Sequence, residues 1–179
     1  MERVHKCIDD SFDQYLSIIK SFLRQPSVSA SGEGVRECAV LLSNIMNDCG
    51  ITSKIFETAG HPVVYGELLS GKKDAKTVLF YGHYDVQPPE PLDLWDSPPF
   101  EPEIRQGKIF ARGSADNKGQ LIAHVLAVKA LKETGTEIPC NVKFVFEGEE
   151  ESGSTNLPNF VRENKELLFC DIVLPVDGS

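Results

Sequence analysis

The stretch TVLFYGHYD, residues 77–85, decides how the chain is read. From Thr77 to Tyr81 it is β-branched, aliphatic or aromatic throughout and bounded by turn residues, the mark of a strand buried on both faces. His83 and Asp85 follow at once. Being two apart, they point to the same side of an extended backbone.

Two further runs of the same kind lie downstream. NVKFVF (141–146) leads into EGEEESGS (147–154), and DIVLPV (171–176) leads into Asp177. All three read as core strands that end in acidic or imidazole groups. Between them, residues 117–132 form a helix apolar on more than half its surface, through Leu121, Ile122, Val125, Leu126, Val128 and Leu131, with Gly135 as its stop. EIRQGKIF (103–110) is a hairpin turning at Gln106-Gly107. The Pro-rich PPEPLDLWDSPPFEP (88–102) holds Trp95 and Phe100 and reads as an ordered loop near a site.

Upstream, residues 4–24 read as one amphipathic helix with Phe12, Leu16, Ile19 and Leu23 on its stripe. The loop QPSVSASGEG, a helix over 35–48 stopped by Gly50, and the strands ITSKIFE and PVVYGELL follow; a helix over 157–164 precedes the last strand. Alternating strands and helices predict an α/β sheet covered on both faces.

The chain has 179 residues, enough for one domain with a core. Eighteen basic against 27 acidic residues leave a formal charge of −9, which repels phosphate backbones and argues against nucleic acid as a partner. No apolar run is long enough for a membrane span. The charged start MERVHKCIDD is unlike a secretory signal, so a cytoplasmic location is expected. Cys7, Cys38, Cys49, Cys140 and Cys170 are scattered and form no CxxC pair, which disfavours both a disulfide framework and a thiolate metal site.

In open α/β sheets, sites form at the carboxyl ends of strands. Here that rule gathers His83, Asp85, the acidic run 147–151 and Asp177, with Asp116 opening the buried helix. One imidazole and several carboxylates are the ligand set of a zinc or manganese hydrolase. Each member alone has a plainer explanation. An HxD pair arises often by chance, Asp116 reads equally as a helix N-cap, and Asp177 reads as turn chemistry. Of the adjacent Glu150 and Glu151, one can ligate while the other accepts a proton from water. Glu147 and Glu149 are read as structural or solvent-facing, and His5, His61 and His124 as non-ligands. Ser114 lacks a GxSxG setting.

Taken together, GHYDVQP, ARGSADNKGQ, EGEEESGS and a strand ending in Asp177 resemble the M20 family of metallopeptidases. That family includes carnosinase-like dipeptidases, aminoacylases, carboxypeptidase G2-type enzymes and the acetylornithine and succinyl-diaminopimelate deacylases. The resemblance implies a three-layer α/β/α, zinc-peptidase-like catalytic domain with a mostly parallel mixed sheet. It implies two divalent cations, zinc first, with manganese or cobalt as alternatives. His83 and Asp177 would ligate one, Glu151 the other, and Asp116 both. Asp85 would be the catalytic acid behind the ligands, and Glu150 the base that activates the bridging water; the bond after Asp116 would be cis.

The HYDVQP wording looks most like the dipeptidase branch, implying small peptides as substrates. N-acyl amino acids are the alternative, and a non-catalytic homologue the rival from another class. Family members are longer, with a lid or dimerisation domain and a late metal-ligating His. Residues 1–179 are therefore expected to be the N-terminal portion of a catalytic domain whose whole protein is a homodimer.

Overall fold

Alternation of short apolar runs with amphipathic segments gives a five-stranded sheet in the order β1-β2-β6-β3-β7. The structure is a computed structural model and describes residues 1–177. β1 (Thr52–Phe56), β6 (Asn141–Glu147), β3 (Thr77–His83) and β7 (Ile172–Pro175) run one way, and β2 (Val63–Leu68) runs against them. The sheet is mixed and mostly parallel, as expected.

Side chains alternate between the faces of each strand, and the core divides accordingly. Val64, Val142, Phe144 and Phe146 pack with α2 (Phe12–Arg24), α3 (Val35–Asp48) and α4 (Lys118–Glu133) on one face. Val63, Tyr65, Leu79 and Val145 pack with α5 (Leu157–Glu163) and α6 (Lys165–Leu168) on the other. The result is three layers. Phe144 and Phe146 are wholly buried, each stabilising the fold by about 2–3 kcal/mol.

Several local readings hold to within a residue or two. α3 covers 35–48, and the hairpin of β4 (Glu103–Arg105) and β5 (Lys108–Phe110) turns through Gln106 and Gly107, both at positive φ. Three readings need correction. The single helix over 4–24 is two, α1 (Glu2–Asp10) and α2, broken at Ser11. Asp and Ser are weak helix formers, and the run Asp9-Asp10-Ser11 is where the helix is interrupted. The stripe shifts as well: Tyr15, Phe22 and Leu23 are buried, while Phe12 is exposed.

Among the described residues β7 lies at the edge of the sheet, and Ile172, Val173 and Leu174 are exposed there rather than buried. Its apolar run fits the sheet, but among the described residues only β3 pairs with it. The double-sided burial predicted for 77–81 is likewise partial: Thr77 and Leu79 are buried, and Val78, Phe80 and Tyr81 are only half-buried. They lie beside that open edge.

The loop 25–34 is tied to the end of β3. Ser27 Oγ donates to the Tyr84 carbonyl at 2.7 Å, Val86 N–H donates to the Ser27 carbonyl at 2.9 Å, and the buried Lys118 Nζ donates to the Gln25 carbonyl at 2.6 Å. The Pro-rich loop is ordered by Trp95 Nε1 on the Pro89 carbonyl and by the Arg112 guanidinium, which lies over the Trp95 ring and donates to the Pro88 carbonyl.

Candidate metal centre

Parallel pairing puts the carboxyl ends of β6, β3 and β7 along one edge of the sheet. The register sets His83 opposite Glu147, so the acidic turn begins where β3 ends. Asp116, just before α4, arrives at the same place.

His83 is the hub. Its side chain is 1% exposed. Nδ1 lies 3.1 Å from the Asp85 carbonyl and 3.4 Å from the Asp85 carboxylate. Nε2 lies 3.0 Å from Asp116 Oδ1, 3.7 Å from Asp177 Oδ2 and 3.8 Å from Glu150 Oε2, yet makes no hydrogen bond of acceptable geometry. With Nδ1–H donating to the Asp85 carbonyl, the Nε2 lone pair faces carboxylates from three other segments. Ligand atoms of His83, Asp116 and Glu151 all lie within 4.8 Å of one another. A buried, unpartnered ring nitrogen amid oxygens from separate segments is what a divalent cation requires. The donor set fits zinc, manganese or cobalt.

Charge in the pocket is mutually dependent. Burial opposes a charged imidazole, but the Asp85 carboxyl and carbonyl and the Glu150 carboxylate outweigh it, pushing His83 up to about 9. Burial also raises Glu150; the His83 charge opposes this, while Glu151, Asp177 and Asp85 reinforce it. A cation can replace the His83 proton and relieve the carboxylates together.

Asp85 is wholly buried, and its two oxygens accept the backbone N–H groups of Glu150 and Glu151, at 3.2 and 3.1 Å. It fixes the 3₁₀ turn that carries both glutamates (Glu150–Ser152) as well as facing His83. Gln87 Nε2 adds a donor to the Glu151 carboxylate at 2.8 Å and to its carbonyl at 3.1 Å.

Glu149 accepts from the His61 backbone and from Asn156, and the buried Glu147 accepts from Tyr81 and Ser154. Both oxygens of Glu149 are taken up by these bonds, whereas Glu147 bonds through Oε1 alone and its Oε2 is buried without a hydrogen-bond partner. His124 packs against Phe80 with the rings tilted by 46°, and its Nδ1 lies on the Gln120 carbonyl.

One local reading changes: Asn117, not Asp116, is the N-cap of α4. The peptide bond between the two is cis, as the resemblance implied. With Asn117 at the cap position, Asp116 does not cap the helix, and its exposed carboxylate faces His83. Sequence reasoning passed over Asn117 and Gln87. The available signals were an amide beside a candidate ligand and an amide two residues beyond the HxD pair.

Fold and site define an α/β protein with a His–carboxylate centre at the strand ends. A model of peptidase family M20/M25/M40 matches residues 79–174. The chain is 31% identical to a Cys-Gly metallodipeptidase of Schizosaccharomyces pombe over 95% of its own length and 38% of that protein's. It is 40% identical to the human Beta-Ala-His dipeptidase over 62% of its length and 22% of the relative's. Among solved structures, human carnosine dipeptidase 1 superposes with a TM-score of 0.90 at 27% identity, over 99% of this chain and 41% of that one. An M20 family metallo-carboxypeptidase from Sulfolobus solfataricus gives 0.87 at 42% identity, over 92% and 37%. This chain belongs to peptidase family M20/M25/M40. It spans well under half the length of these relatives.

Proposed function

We propose that the protein hydrolyses amide bonds in small substrates with the help of two divalent cations, dipeptides being its first class of substrate. One observation carries the reading: the buried, unpartnered Nε2 of His83 faces carboxylates contributed by distant segments. The metallodipeptidases among its relatives support it.

In this reading His83 and Asp177 would hold one cation and Glu151 the other, with Asp116 between them as a shared ligand. Bound there, the cations supply Lewis acidity, which makes water a nucleophile near neutral pH and polarises the scissile carbonyl. Glu150 is the proton acceptor. Burial and acidic neighbours raise its pKa, bringing it toward the working pH, where a general base is most effective. It then returns the proton to the leaving amine. Asp85 keeps Glu150 and Glu151 in register by holding both of their amides.

The test is a substrate panel with protein loaded with zinc or manganese. Turnover of dipeptides such as Cys-Gly and β-Ala-His, well above that of acetyl- or succinyl-amino acids, supports the reading. A reversed preference moves the protein to the deacylases. Metal-replete protein that cleaves neither class would sink the enzyme reading.

A further inference from the structure

We propose that Asn117 is the positioning residue for the His83–Asp177 half of the metal centre; this rests on reading the centre as a metal site. Asn117 occupies the N-cap of α4, where an Asn side chain ordinarily accepts a backbone N–H of the first helical turn. Here it makes no such bond. The carboxamide is instead wholly buried and committed to the two strands beside it. Oδ1 accepts the His83 backbone N–H at 3.2 Å, and Nδ2 donates to the Val176 carbonyl at 2.9 Å, with Asp177 Oδ1 at 3.5 Å.

One amide thus joins three ligand-bearing segments: it follows Asp116, holds the backbone of His83, and fixes the residue before Asp177. The neighbouring sequence makes room for the arrangement. A Cβ on Gly82 would lie 2.6 Å from Asn117 Oδ1 and 2.6 Å from Val176 Cγ2, too close for either to stay. Position 82 must lack a side chain so that the carboxamide can pass between β3 and β7. The Glu150–Glu151 half takes nothing from Asn117; its backbone hangs on Asp85.

The experiment is cobalt(II) titration of metal-free protein, read by calorimetry and visible absorption, for wild type, Asn117→Asp and Asn117→Ala. Asn117→Asp keeps the acceptor for His83 N–H and loses the donor to Val176. Both variants are expected to weaken one equivalent of metal by about 10–100-fold, the range for residues that orient ligands, with an altered cobalt spectrum and the other equivalent unchanged. The loss should be non-additive with Asp177→Ala and additive with Glu151→Gln. Variants that bind both equivalents like wild type would overturn the role of Asn117 alone. So would variants that lose metal-free thermal stability without any selective loss of one equivalent, because that marks a purely structural strut. A wild-type protein that takes up no metal would instead overturn the reading of the centre, and this proposal with it.

Discussion

The two halves of the candidate centre are held by opposite means. On the β3–β7 side, a neutral carboxamide grips the backbone of His83 and Val176. On the β6 side, a buried carboxylate grips the amides of Glu150 and Glu151, and Gln87 reaches the Glu151 carboxylate from outside. In both halves the backbone of the groups proposed to face a cation is held by a buried side chain. A carboxylate that engages metal or proton has little acceptor capacity left for fixing itself. The rigidity therefore comes from buried neighbours, Asp85 and Asn117, each 0% exposed.

The sharpest way to break the comparison is Glu150→Gln. If Glu150 is the base and not a ligand, turnover should fall by about 10²–10⁴-fold with both metal equivalents retained; loss of a metal equivalent instead would make it a ligand. Next comes Asp85→Asn, which turns one of the two acceptors toward Glu150 and Glu151 into a donor. A buried N–H left unsatisfied costs about 1–3 kcal/mol. kcat should fall by roughly 10²-fold, with weaker metal binding on the Glu151 side and the His83 side spared. Equal loss on both sides would show that Asp85 supports His83 as much as the glutamates, and loss on the His83 side alone that it acts mainly through His83.

The pH dependence reads His83 together with the carboxylates that hold its charge. In metal-free protein the folded His83 pKa, about 9, lies above the ordinary 6.5. Its charge therefore stabilises the fold fully below about 6.5, and that contribution is lost as pH rises through about 9. The melting temperature of EDTA-treated protein should drop by roughly 5 °C between pH 7 and 9.5, and His83→Gln or zinc loading should flatten the profile. A profile that stays steep in both would place the titrating group elsewhere. The smallest effect is expected from Gln87→Val. Its amide is solvent-exposed and contributes about 1 kcal/mol, so affinity on the Glu151 side should weaken by about five-fold with kcat nearly unchanged, read by chelator competition.

Much of this architecture was legible in the order of residues. The apolar runs ending at His83, Glu147 and Val176, and the period of α4, depend on neighbours along the chain, and they place the acidic groups at one edge of a parallel sheet. The break at Ser11 was present in Asp9-Asp10-Ser11 but was masked by an apolar pattern that continues across it. The edge position of β7 was not legible, because an edge strand and a central strand share the same alternation until their partners are known.

By itself the sequence determined which residues could ligate and that strand ends would carry them, because patterning and side-chain chemistry are local properties. Only the tertiary structure decided that Asn117 forgoes its cap, that Asp85 holds two glutamate amides, and that Gly82 must stay bare. An amide or carboxylate chooses its partner from whatever the fold brings within about 3 Å, and that choice is made across 34 to 66 residues of chain.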